Sequence, residues 1–161
     1  MKSKKIILAI SSIFLFSCQS LNTSFIRYGV NKPFITLEES NQETGVLIDI
    51  SPTEIKQKID QGDTYMLYIH AAHCGYCSDS KQKFLDPYLS KNRVVIYGID
   101  LDDYPYGSDE RTLFSEEIKP MFGKSYIGTP YYALFENGSF LMGEQDSSYF
   151  SLFFKTYIIT D

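Results

Sequence analysis

Apolar positions along the chain fall into short blocks, and the changes in their spacing outline the elements. Gly45 to Ile50 is a short β-prone run. Ser51-Pro52-Thr53-Glu54 follows as a capping box with proline at the first helical position. Ile55 and Ile59, four apart, give the next helix its apolar face, and Gly62 marks its end. Tyr65 to His70 is nearly continuous in apolar character, as a strand buried on both faces should be. Ala71 to Cys77 reads as a turn, with a helix starting inside it. That helix is expected to present Phe84, Leu85 and Tyr88 inward and to kink or end at Pro87.

Arg93 to Asp100, built around Val94, Val95 and Ile96, predicts another strand, and Asp100 to Ser108 a polar loop. Leu113, Phe114 and Ile118 mark a helix stopped by Pro120. Tyr131 to Glu136 and Ser139 to Met142 flank Asn137-Gly138, the strongest short hairpin signal. Phe150, Phe153, Phe154 and Tyr157 then recur at helical spacing between Ser147 and Ile158. The order β-α-β-α-β-α-β-β-α predicts parallel crossovers first and an antiparallel hairpin last. The class is therefore α/β, with a mixed sheet.

The first residues have a different character. Lys2, Lys4 and Lys5 precede an apolar run from Ile6 to Phe16, which is shorter than the roughly 20 residues a membrane span needs. Charged, then apolar, then small is the layout of an export signal. Leu15-Phe16-Ser17-Cys18 resembles a bacterial lipobox, in which cleavage exposes a cysteine that becomes lipidated. An ordinary signal peptide cleaved near Ser17 or Ser20 is the alternative. The expected division is a signal peptide over 1–17, a tether over 18–44 and one domain over 45–161. Lipidation at Cys18 would anchor that domain to the outer face of the cell membrane, where disulfides persist.

Composition narrows the partners. Charged residues make up 22% and hydrophobic ones 43%, enough for a packed core. The formal net charge is −5, and no basic stripe interleaves with aromatics, so nucleic acid is not an expected partner.

The chemistry rests on Cys74-Gly75-Tyr76-Cys77. Between a buried strand and a helix, the first cysteine of such a pair sits where unpaired N–H groups and the macrodipole favour a thiolate. Cys74 is thus the expected nucleophile. Cys77, a turn further in, is placed to resolve a mixed disulfide. Two other uses of the motif stay open at this point. A zinc site would need His70 and His73 as further ligands. A purely structural disulfide would close too small a loop to stabilise the fold much.

His70 to Cys77 after an apolar strand resembles the active-site segment of thioredoxins. Gly128-Thr129-Pro130, running through Tyr131 to Gly138, resembles their second signature. The resemblance covers roughly residues 45–161 and implies a thioredoxin-like fold, with a mixed central sheet of four to five strands flanked by helices. It also implies that Pro130 is cis and faces the cysteine pair, and that the backbone of Thr129 binds an extended substrate segment. The departures are specific. Tyr68 stands where thioredoxins carry a buried acid, and His70 and His73 replace tryptophans. Gly75-Tyr76 replaces Gly-Pro. His73 and Tyr76 are the candidates for tuning the cysteine pKa.

What the resemblance implies is a protein thiol–disulfide oxidoreductase acting outside the cytoplasm on cysteine-containing exported proteins. The dithiol carries the electrons, so no cofactor or metal is called for, but a redox partner must reset it. The alternatives are a non-enzymatic accessory protein of a secretion or bacteriocin-export system, and a copper-delivery protein using Cys74, Cys77 and His73.

Overall fold

A computed structural model describes residues 35–145 and 158–159. The expected signal peptide, Cys18 and most of the expected final helix lie outside the described residues. The strands are β1 (Ile35–Thr36), β2 (Val46–Asp49), β3 (Tyr65–His70), β4 (Val95–Asp100), β5 (Tyr131–Glu136), β6 (Ser139–Glu144) and β7 (Ile158–Ile159). The α-helices are α1 (Pro52–Gln61), α2 (Gly75–Ser80), α3 (Asp86–Leu89) and α4 (Asp109–Leu113). β7 pairs in parallel with β1, which makes Ile158 a strand residue and not the last residue of a helix.

The main sheet has five strands in the order β2-β4-β3-β5-β6. β2, β4 and β3 run parallel, whereas β5 and β6 are antiparallel to their neighbours. With helices on both faces, this is the thioredoxin-like α/β fold that the sequence predicts. β3 lies between β4 and β5 with both of its faces covered, which is why its sequence shows no polar alternation. Its residues divide by pleat. Tyr65, Leu67 and Ile69 enter one core with Ile55, Phe114, Ile118 and Phe122, while Met66 and Tyr68 enter the other with Leu85 and Leu89.

Local signals behave as their chemistry requires. Ser51 caps α1 in a complete capping box with Glu54, and Gly62 closes it at φ 75°. Asn137 and Gly138 both take positive φ, 51° and 72°, giving the β5–β6 turn the handedness that a tight hairpin needs.

Pro87 does not end its helix, and the stop expected at Pro120 is a change of helix type instead. The chain continues from α2 through a π-helical stretch, Lys81–Leu85, into α3, and Pro87 lies in the first turn of α3. Widening the turn removes the need for the N–H that proline lacks. Likewise α4 passes through a π-helical stretch, Phe114–Ile118, into 3₁₀ turns over Lys119–Ser125, with Pro120 at their start and a break at Gly123, where φ is 58°.

The expected tether does not extend to residue 44. Leu37 is 5% exposed and joins the α2–α3 core. Glu39 bridges Val94, and the Ser40 N–H donates to the Arg93 carbonyl at 3.0 Å. Leu37 closes a short stretch, Phe34-Ile35-Thr36-Leu37, too brief to show a sustained period. Its side chain is buried against Leu85, Leu89 and Val94, and the backbone beside it pairs with the start of β4, where the Val95 N–H donates to the Glu38 carbonyl at 2.8 Å.

Candidate active site

The site forms at the end of the sheet where β3 and β4 finish and β5 begins, since His70 is registered with Asp100 and Ile69 with Tyr131. Open α/β sheets bind ligands at this end. Cys74 is the N-cap of α2, in extended conformation, and Gly75 opens the helix. Cys74 and Cys77 form a disulfide, with Cα atoms 5.2 Å apart.

The two sulfurs have unequal surroundings. Cys74 is partly exposed, while Cys77 is 4% exposed. The Cys77 N–H donates to Cys74 Sγ at 3.1 Å. That bond and the helix N-terminus aim positive partial charge at Cys74, the arrangement that favours a thiolate once the pair is reduced. The Thr129–Pro130 peptide is cis, and the Thr129 carbonyl oxygen lies 3.6 Å from Cys74 Sγ.

Beneath the pair, Tyr68 is 1% exposed, and its hydroxyl donates to the Cys77 carbonyl oxygen at 3.0 Å. Its ring stacks on Tyr132 and on His70. The Tyr132 and Ser80 hydroxyls meet at 2.7 Å. Burial drives the Tyr68 and Tyr132 phenols well above the ordinary tyrosine range, so they remain neutral hydrogen-bonding groups. His70 is thus a packed strand-end residue, near Asp49 and Asp100 at 3.6 and 3.8 Å.

The acidic run Asp100, Asp102 and Asp103 reads from sequence as a solvated loop, but its first two members hold the turn before Cys74. Asp100 Oδ1 accepts the N–H groups of Ala72 at 3.1 Å and Asp102 at 2.9 Å. Asp102 Oδ2 accepts the N–H of His73 at 2.9 Å and faces His73 Nδ1 at the same distance. These donations, the backbone one foremost, hold the Asp102 carboxyl below its usual range. The sequence signal was the strand register, which brings the end of β4 beside the end of β3.

A cavity of about 250 Å³ opens beside the disulfide, lined in part by Tyr76, Phe84, Thr129, Pro130 and Gln145. Tyr76 is 82% exposed and forms part of this wall. Asp79 and Lys83 pair at 2.8 Å on the α2 side, which leaves the charge of that wall balanced. Among the described residues, no three His, Cys, Asp or Glu side chains are grouped as a metal ion requires.

No family model and no curated protein matches the chain. Solved structures similar to it include thioredoxin O1 from Arabidopsis thaliana in its oxidized state. That pair shares 16% identity at a TM-score of 0.46, covering 69% of this chain and 96% of that one. Spinach chloroplast thioredoxin F (short form) shares 16% at a TM-score of 0.46, covering 70% and 92% respectively. Aeropyrum pernix thioredoxin shares 20% at a TM-score of 0.45, covering 66% and 80%.

Proposed function

We propose that the protein is an extracytoplasmic thiol–disulfide oxidoreductase that exchanges electrons with cysteines of exported proteins. Cys74 is the attacking sulfur and Cys77 resolves the mixed disulfide. The observation that carries this reading is the asymmetry of the pair. Cys74 is accessible and receives an N–H from the first turn of α2, while Cys77 is buried beneath it.

Thr129 and Pro130 form the wall shared by Cys74 and the adjacent cavity, which suits an extended polypeptide lying over the Thr129 backbone. The cavity is smaller than a drug-sized pocket, which typically begins at roughly 300 Å³. With Tyr76, Phe84 and Pro130 as apolar walls, it fits one apolar or aromatic side chain near the substrate cysteine. Placement outside the cytoplasm is supported by the order of charges and apolar residues over 1–18, with Cys18 as the lipid-bearing anchor.

The test is a Cys77→Ser variant of the full chain expressed in its own cell. It should accumulate mixed disulfides through Cys74 with exported polypeptides, resolved by non-reducing separation and identified by mass. A Cys74→Ser control should accumulate none. If Cys77→Ser also captures nothing, the enzymatic reading fails. The equilibrium potential of the pair then sets direction: about −270 mV marks a reductase and about −120 mV an oxidant.

A further inference from the structure

His73 and Asp102 form a pair one residue from the reactive sulfur, and its geometry fixes which ring nitrogen faces the carboxylate. An ionised carboxylate only accepts hydrogen bonds, so the imidazole must donate through Nδ1 at 2.9 Å. The same oxygen holds the His73 backbone, which ties ring and main chain to one anchor. That anchor is braced in turn: the Asp102 N–H reaches Asp100 Oδ1 at 2.9 Å, and Arg111 Nη1 donates to the Leu101 carbonyl at 2.6 Å. The charged group on the ring is Asp102, from the turn after β4; Asp100 at the end of β4 braces Asp102, and Arg111 of α4 acts on it electrostatically. With Nδ1 occupied, Nε2 is the nitrogen left to exchange protons, on a side chain that is 94% exposed.

Paired with Asp102, an imidazolium at this position adds no net charge next to Cys74. Its chemical use lies in moving protons. The interior offers no substitute at the position of Tyr68, because a phenol driven above its ordinary range and donating to the Cys77 carbonyl holds its proton. Resting on the thiol–disulfide exchange proposed above, we propose that His73 is the catalytic base for the substrate thiol and that Asp102 is its positioning residue.

In the step from the oxidised state, an incoming thiol gives its proton to His73 Nε2. Its sulfur forms a bond to Cys74 Sγ while the Cys74–Cys77 bond breaks, and the electron pair leaves on Cys77 as a thiolate. The products are a mixed disulfide, a Cys77 thiolate and an imidazolium held by Asp102. In the reverse direction Nε2–H returns the proton to the departing substrate sulfur.

The test exploits what a base can and cannot help. A simple alkyl thiol is largely protonated at neutral pH and gains from a base, whereas an electron-poor, nitro-substituted aryl thiol is already ionised from about pH 5 upward. The full-length oxidised protein is mixed with each thiol between pH 5 and 9, quenched by alkylation, and its free cysteines counted by mass. Asp102→Asn and His73→Gln should each lower the ratio of alkyl to aryl rates roughly tenfold. That is less than the roughly 10²–10⁴ typical of positioned bases, because water competes at an exposed ring. Both variants should also change the pH profile of the alkyl reaction. An unchanged ratio, or equal slowing with both thiols, overturns the proposal. A wild-type disulfide inert to both thiols overturns the exchange reading itself.

Discussion

The Tyr68 hydroxyl donates to the carbonyl oxygen of Cys77 at 3.0 Å, joining the central strand to the first turn of the reactive helix. A tyrosine here holds the backbone of α2, a role that a carboxylate could not fill, because both oxygens would be acceptors. Tyr68→Phe keeps the ring stack on Tyr132 and removes the hydroxyl that donates to Cys77 and also pairs with the Tyr132 hydroxyl. The Cys77 carbonyl retains the Lys81 N–H as a partner, so the expected loss is about 1 kcal/mol, read as a lower urea midpoint at unchanged m-value. Exchange at Cys74 should survive. Loss of exchange with full stability retained would show that the hydroxyl acts in the chemistry.

The α1 capping box predicts an acid-dependent contribution to stability. Glu54 lies below its ordinary range because it accepts the Ser51 backbone N–H and, secondly, the Ser51 hydroxyl. A carboxylate with a depressed folded-state pKa stabilises the fold above its unfolded pKa. That contribution disappears as pH falls through the lower, folded value. Wild type should therefore exceed Glu54→Gln in urea midpoint at pH 7, and the two should converge at the acid end. A gap of constant size across pH would rule out the ionised box as its source.

The parts that sequence made legible are those whose causes lie within a few residues. Ser51 and Glu54 are three positions apart, Asn137 and Gly138 adjacent, and the uninterrupted apolar run of β3 reflects its place between two strands. Cys74 and Cys77 were legible for the same reason. The latch on the active-site turn was not. Asp100 reaches Ala72 across 28 positions and Asp102 reaches His73 across 29, contacts that exist only once β3 and β4 are in register. Leu37 was hidden because the run from Phe34 to Leu37 is too short to show a period. The prolines misled by the opposite route: the local rule allows a helix to stop, but the chain stays helical through a π-helical stretch before each proline and passes into 3₁₀ turns at Pro120.

The cleft beside the disulfide makes the substrate reading selective. Tyr76 is exposed, so truncating it should not disturb the core. Tyr76→Ala should raise KM severalfold for a cysteine peptide carrying an aromatic residue near its cysteine. The effect on a matched peptide with alanine at that place should be smaller. Steady-state kinetics on the two peptides reads the difference. Equal KM changes would mean that this wall does not contact the neighbouring residue.

Asp100 supports the turn before Cys74 from beneath, and its removal separates support from proton transfer. Asp100→Ala leaves the Ala72 and Asp102 N–H groups without their shared acceptor. Both lie near the surface, where water replaces part of the bond, so the cost should be about 1–2 kcal/mol. Amide exchange at Ala72 and Asp102 should speed up markedly. Leu67 and Ile69, fully buried in β3, should keep their protection. Since the turn carries His73 and Cys74 together and Asp100 also braces Asp102, both thiols should slow, with a smaller fall in the alkyl-to-aryl ratio than in Asp102→Asn. A ratio that falls as far as in Asp102→Asn would place Asp100 in the proton path instead of beneath it.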